Sequence, residues 1–367
     1  MLAIIRYIKE KGLADAIQTF KLKCKVYDSK ILLKYDQLES NMSLEEVQDC
    51  RGLILEKDTW KILSLPLRKF FNYGEGNAAK IDLSTAKCLY KIDGTFIHVY
   101  FDWNEKKWVA ATSGMAEAEG EVNNVTNTTF SQLFWNTAKL DLSKLLIGNC
   151  YMFELCTPEN IVVTPHTNYS VTLLAVRNIN TLSEFSYDEL VLISEDLSVN
   201  LVGFISMEIQ TLDDVSKNFI DMPFSEEGYV VIDKDFNRVK IKNPAYVAAH
   251  FLKSKSGFHH IMEIIKSNEV DEFIATFMHR KDEIHQLEVA YYKLMVKLGD
   301  LWLTLSKETP LVGKTQKHYA EQVFELTEKN KLKMFSGLFF SLVNNKISSI
   351  SEYLREFDNK KLYEILN

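Results

Sequence analysis

Four short segments of this chain carry residues that could do chemistry together. They are Lys91-Ile92-Asp93-Gly94, Tyr151-Met152-Phe153-Glu154, Glu227-Gly228-Tyr229 and Lys240-Ile241-Lys242. A lone K-x-D-G tetrapeptide arises by chance in roughly one chain in ten of this length at average residue frequencies, so the ordered set carries the signal. Residues two apart in a strand share a face, and Lys240 and Lys242 would therefore project two cations into one cavity. A lysine is a nucleophile only as the neutral amine, and its unperturbed pKa is about 10.4. Partial burial of Lys91 and like-charge repulsion from Lys240 and Lys242 would both favour that neutral form. The same two cations would stabilise negative charge gathering at a reaction centre. Glu154 and Glu227 lie in strongly apolar strand patterns, where an unpaired charge is costly, which favours function over a plain surface carboxylate. Alternation of Lys240 and Lys242 with Val239 and Ile241 fits an exposed strand face equally well by itself, so only the linkage to the other segments favours catalysis.

In this order the motifs resemble the covalent nucleotidyltransferase superfamily of ligases and capping enzymes. Within it they are most similar to the RNA ligase 1 family known from phages. Cys50-Arg51-Gly52 and Pro66-Leu67-Arg68-Lys69-Phe70-Phe71-Asn72 look like that family's N-terminal signatures. Leu173-Leu174-Ala175-Val176-Arg177 stands where the family has an adenine-pocket strand, and Tyr35 is a further match. The resemblance runs from Arg51 to Tyr246. It departs from the family's pattern at Ser113, where a basic residue is expected before Gly114, and this bears on one phosphate or RNA contact.

The resemblance implies an α+β, ATP-grasp-like nucleotidyltransferase domain with antiparallel sheets. It implies three steps: Lys91 takes AMP from ATP, passes it to an RNA 5′-phosphate, and a 3′-hydroxyl then displaces AMP. Lys91, Glu227, Lys240 and Lys242 would be catalytic. Arg51 and Lys69 would meet the β and γ phosphates, with Phe71 packing nearby, Val176 lining the adenine face, and Tyr35 and Gly94 completing the nucleotide site. Glu154 and Glu227 would hold the waters of Mg²⁺, with Mn²⁺ as an alternative ion. Taken singly, an arginine and a lysine near strand ends are as often solvated charges, and a Phe-Phe pair is usually core. The family's task is repair of cleaved tRNA, often beside an end-healing polynucleotide kinase-phosphatase. The resemblance suits a monomer in the cytoplasm, the host's if the protein is phage-encoded. An mRNA-capping guanylyltransferase or DNA ligase shares the lysine motif but usually adds an OB domain of about five strands. A catalytically silent RNA-binding scaffold is the alternative from another class, and Ser113 would be an early sign of its decay.

These residues need strands to hold them. Up to about residue 245 the pattern is mostly short strands, including CLYKIDGTFIHVYFD, NCYMFELCTP, VTLLAVRN, EEGYVVID and RVKIKN. Helical intervals are expected near Ser43, whose spacing from Glu46 suits a capping box, and from Glu184 to Val199. After Pro244 only Pro310 and four glycines remain, and helix formers run on to Asn367. The expected organisation is an adenylyltransferase domain over 1–245 and an all-helical domain over 246–367 that helps select RNA. Its clearest helix runs from Asp282 to Lys307, with Ile284, Leu287, Tyr291, Leu294, Leu298, Leu301 and Leu305 forming a seam that suits packing within its own domain. Ser349 and Glu352 suggest a capping box opening the last helix. Lys329, Lys331 and Lys333 crowd together and read as a solvated helix end or a phosphate contact.

With 367 residues and 46% apolar content, the chain can bury a substantial core. No apolar stretch reaches the roughly 20 residues of a membrane span, and the opening MLAIIRYIKEKGL lacks the features of a secretory signal. Five cysteines, an odd number without a C-x-x-C pair, read as free thiols. The eight histidines are scattered, and adjacent His259 and His260 cannot both face one metal from a single helix face. A net charge of −7 argues against coating nucleic acid through bulk positive charge, though not against a local cationic groove. Gly74-Glu75-Gly76-Asn77-Ala78-Ala79 meets a loose dinucleotide fingerprint, yet Ile81-Asp82-Leu83-Ser84 does not continue as the required helix and a turn is expected. There is no P-loop.

Overall fold

The computed structural model describes residues 1–122, 127–220, 222–253, 259–276, 281–308 and 316–366; Pro310 and the side chains of His259 and His260 lie outside them. They form two compact units, Met1–Lys253 and Ser254–Asn367. The division falls one helix later than the change in composition at Pro244. Helix Pro244–Lys253 belongs to the first unit because Tyr246 and Val247 are buried in it, with the Tyr246 hydroxyl donating to Asp93 Oδ1 at 2.8 Å.

The first unit is α+β. Helices Ala3–Lys11 and Leu13–Phe20, absent from the sequence reading, pack their apolar faces on a four-stranded antiparallel sheet. That sheet holds β1 (Leu22–Val26), β2 (Lys30–Tyr35), β3 (Arg51–Glu56) and β4 (Ile62–Ser64) in sequential order. The remaining strands are β5 (Phe71–Asn72), β6 (Lys87–Lys91), β7 (Thr95–Asp102), β8 (Lys107–Ala111), β9 (Asn149–Cys156), β10 (Ser170–Asn178), β11 (Asn200–Leu201), β12 (Phe204–Ile205), β13 (Gly228–Ile232) and β14 (Arg238–Lys242). A second sheet has the order β11-β10-β9-β7-β8 and a third β12-β6-β13-β14-β5. Both are antiparallel except at one edge of each, where β11 and β5 pair in parallel. Strands β9 and β10 are almost wholly buried, which their near-continuous apolar runs foretell. Helices Phe130–Ala138 and Tyr187–Leu197 cover the second sheet, each opened by a capping box, at Thr129/Gln132 and Ser186/Glu189.

The capping box expected at Ser43 does not form. Asn41 Oδ1 takes both the Ser43 amide and its hydroxyl, and the helix there is a single turn, Glu45–Gln48, beginning after Leu44. In the second unit every described element is a helix. Lys281–Glu308 buries Ile284, Leu287, Tyr291, Leu294, Leu298, Leu301 and Leu305 against that unit's other helices, so the seam is core. Ser349 caps helix Ile350–Glu356 by accepting from the Glu352 amide at 3.1 Å, but the Glu352 carboxylate takes the Ser348 amide, so the full box does not form, and this helix is followed by another, Asn359–Leu366. Lys329, Lys331 and Lys333 gather where helix Gln316–Lys329 ends, and Lys333 pairs with Glu328 at 3.2 Å. No described helix is long and apolar enough to cross a membrane.

Candidate active site

A cavity of about 260 Å³ opens between the second and third sheets, with β2 and β3 contributing Tyr35 and Arg51 to its wall. Lys91 reaches it as the last residue of β6. The sheet register explains why its partners are remote in sequence: Gly228 of β13 pairs with Lys91 on one side and with Lys242 of β14 on the other. Glu227, immediately before Gly228, is buried between the two ammonium groups. Its Oε2 accepts from Lys91 Nζ at 2.6 Å, and its Oε1 lies 3.3 Å from Lys242 Nζ. Gly228 is required on two counts. Its φ is +130°, and a Cβ would stand 2.3 Å from the Ile241 carbonyl oxygen.

The turn between β6 and β7 aims the lysine. Asp93 is buried; its Oδ2 accepts from the amides of Val163 and Thr164 at 2.9 and 2.6 Å, and its Oδ1 from Tyr246. Burial opposes its charge, but these donors together hold its carboxyl below the ordinary range. Asp93 therefore braces the motif rather than facing substrate. Gly94 lets β7 approach β9, for a Cβ there would sit 2.6 Å from the Leu155 carbonyl oxygen.

Glu154 lines the cavity from β9, and burial pushes its carboxyl up to about 8; Lys91 and Arg51 draw it down while Glu227 and Asp93 raise it further. Arg51 packs its guanidinium 4.9 Å from the Phe96 ring and 5.4 Å from Phe70. Lys69 Nζ lies 5.5 Å from the rings of both Tyr35 and Phe71. Lys240 stands 5.9 Å from the Phe70 ring and Lys242 6.0 Å from that of Tyr246. The predicted Tyr35, Arg51, Lys69, Lys91, Gly94, Glu154, Lys240 and Lys242 all line this one cavity, with Glu227 bonded to two of them.

Besides Glu227, two expected residues do not line it. Val176 is fully buried in the core behind the second sheet; a bulge at Leu174 shifts the register of β10 and puts Leu174 at the cavity in its place. Phe71 borders a neighbouring cavity, while Phe70, just before the strand, borders both. Arg238 also lines the site and was missed. The two-residue spacing that joins Lys240 to Lys242 extends to it and could have found it. Ser113 lies against Gly52, where a Cβ would stand 2.8 Å from Ser113 Cα. The ammonium of Lys34, from β2, comes within 3.7 Å of a Cβ position at Gly114, so a cation reaches this turn from another strand. Among the described residues no group of three or more His, Cys, Asp or Glu side chains could hold a metal directly.

A family model described as RNA ligase matches residues 49–246, more than half of the chain and all of the predicted site residues except Tyr35. The chain belongs to the RNA ligase family. It is an RNA ligase, an enzyme that joins RNA ends, in a family whose general mechanism passes through a lysine-bound AMP. It is 25% identical over 325 residues to an RNA ligase of Rhodothermus phage RM378, covering 71% of this chain and 72% of that one. It is 28% identical over 309 residues to the "Putative bifunctional polynucleotide kinase/RNA ligase" of Autographa californica nuclear polyhedrosis virus, covering 77% of this chain but 43% of that longer protein. Among solved structures, an archaeal ATP-dependent RNA ligase aligns with 77% of this chain and 79% of its own at 12% identity and a TM-score of 0.46.

Proposed function

We propose that Lys91 is the residue that carries AMP. The observation that supports this is the row Lys91–Gly228–Lys242 across three strands, with Glu227 between the two ammonium groups at a cavity wall. An ammonium donating to a carboxylate has no lone pair for attack. Reaction therefore requires Glu227 to be drawn to another partner and the Lys91 proton to leave. Lys91 Nζ then forms a bond to the α-phosphorus of ATP as the bond to pyrophosphate breaks. An oxygen of the RNA 5′-phosphate next takes the AMP phosphorus and frees the lysine. A 3′-hydroxyl finally attacks the RNA phosphorus, losing its proton as AMP departs. Lys240 and Lys242 offset the charge that builds on phosphorus, and Arg51 and Lys69 hold the outer phosphates.

Glu154 and Glu227 fit a hydrated divalent ion, Mg²⁺ or Mn²⁺: two carboxylates without a third ligand suit an ion that keeps waters and binds mainly through phosphates. When bound, such an ion would neutralise phosphate charge and compete with Lys91 for Glu227. We assign the first unit, through helix Pro244–Lys253, to adenylyl transfer together with its N-terminal module, and the helical second unit to choice of RNA. The substrate we expect is a cleaved RNA such as a tRNA loop, repaired in the cytoplasm by a monomer. A separate kinase-phosphatase would prepare the ends, and the name of the viral relative, which joins a polynucleotide kinase to an RNA ligase, supports pairing with a kinase.

The deciding experiment incubates the protein with Mg²⁺ and ATP labelled on the α-phosphate, GTP in parallel, and Lys91→Ala as control. Label from ATP that survives denaturation and disappears in Lys91→Ala is expected. Label from GTP instead would indicate a capping enzyme, and none from either, in folded protein free of prior AMP, would leave a silent scaffold.

A further inference from the structure

Beside the active-site cavity lies a second, of about 440 Å³, which shares Lys69, Phe70 and Arg238 with it. Four cations line it, and their partners differ. Arg68 is held by Asp49 and Glu45, and Arg238 by both oxygens of Glu184. Arg177 is more than nine-tenths buried, yet its bonds go only to main-chain oxygens, from Nε to Leu182 at 3.1 Å and from one Nη to Pro66 at 3.2 Å. Lys69 rests against rings. Among the described residues neither Arg177 nor Lys69 has a carboxylate within 4.0 Å. Asp235, the remaining acid of the cavity, is exposed. Burial works against the Arg177 charge, with Glu184 and Asp49 helping it only from a distance. A buried guanidinium of this kind is completed by an anion.

Three rings also line the space, Phe70, Phe71 and Phe236. Phe236 is presented at the tip of the β13–β14 hairpin with φ of +61°, a backbone that a bulky aromatic rarely adopts. Asp233 pins that turn, its Oδ1 accepting the amides of Asp235 and Asn237 at 3.0 Å each. A diphosphate has no use for rings, whereas a base stacks on them, and single-stranded RNA is held by this mixture of cation and aromatic.

We propose that the second cavity binds a nucleotide of the RNA strand next to the reacting end, its phosphate between Lys69 and Arg177 and its base against the rings. The assignment rests on the ligase reading above. Lys69, at the junction, would serve both cavities.

The test uses the full-length protein and measures lysine labelling by ATP separately from AMP transfer, by pre-labelled enzyme, to a 5′-phosphorylated oligoribonucleotide. In Arg177→Met and Phe236→Ala, transfer should require about tenfold more oligonucleotide while the ATP needed for labelling changes less than about twofold. Arg177→Lys should recover part of the loss. Should the variants instead need more ATP, or lose inhibition by pyrophosphate, with transfer unchanged, the cavity serves the triphosphate and the proposal is wrong. It is equally wrong if neither readout moves. If Arg177→Met does not fold, Phe236→Ala, a change at a hairpin tip, decides alone. Failure of wild-type protein to take label would sink the ligase reading, and oligonucleotide affinity of wild type against Phe236→Ala would still test the cavity.

Discussion

Lys91 and Lys242 stand on opposite sides of Gly228, each in register with it from its own strand, and both meet the carboxylate of Glu227. The sheet brings together two lysines 151 positions apart in the chain. Removing either ammonium should slow chemistry more than it harms the fold, because both side chains are half-buried at a cavity wall. Lys242→Met should lower the rate of labelling from ATP by about 10²-fold or more, with a melting temperature within a few degrees of wild type. An equal loss of labelling and of folded protein would make Lys242 structural.

Gly228→Ala should be far more disruptive than its size suggests. The new methyl would meet the Ile241 carbonyl oxygen at 2.3 Å in a backbone conformation that favours glycine. We expect destabilisation of about 2–4 kcal/mol and loss of lysine labelling, read by thermal denaturation alongside the label. Wild-type melting would show that β13 and β14 are less closely packed than described.

Glu154 makes stability depend on pH. Its folded-state pKa, raised to about 8, exceeds the ordinary carboxyl value of 4.5, so the folded protein holds a proton there that the unfolded chain releases. The sign follows: this contribution is full below about pH 4.5 and is lost as pH rises through about 8. Glu154→Gln should remove the slope and stabilise the protein by about 2 kcal/mol at neutral pH after allowing for solvent screening at the cavity. Melting curves between these limits test it, and an unchanged slope would contradict the assignment.

Away from the site, Lys30 is 1% exposed and meets Asp102 at 2.7 Å, and Glu105 and Glu117 at 2.8 Å each. Lys30→Met would strand the fully buried Asp102 carboxylate and should cost about 3–5 kcal/mol, whereas adding Asp102→Asn should recover much of that. Chemical denaturation of the two variants checks the pair. Hydrogen bonds from Lys107 and then Lys30 hold the Glu105 carboxyl down to about 2. Its share of the stability is therefore present above about pH 4.5 and lost as pH falls toward 2.

Much of this was legible in local pattern. Alternation along Lys240-Ile241-Lys242 and the apolar runs of β9 and β10 foretold strands, and the three-and-four spacing from Ile284 to Leu305 foretold a buried helical seam. Such periodicities depend only on the geometry of one element, and that is why they survive into the fold. The N-terminal helices and the late start of Glu45–Gln48 were less legible, because short helices lean on tertiary contacts and on competing side-chain bonds such as those of Asn41.

The residue types and their order along the chain were enough to establish which family this is and which lysine to test. Which side chains share a cavity was decided by register between strands and by one bulge. The bulge at Leu174 turned Val176 into the core, and Phe71 came to border the neighbouring space while Phe70 borders both. Asp93, half of the K-x-D-G signature, became a brace because the folded chain set Tyr246 and two amides around it. Partners of this kind come from positions far apart in sequence, and only close packing of the sheets selects among them.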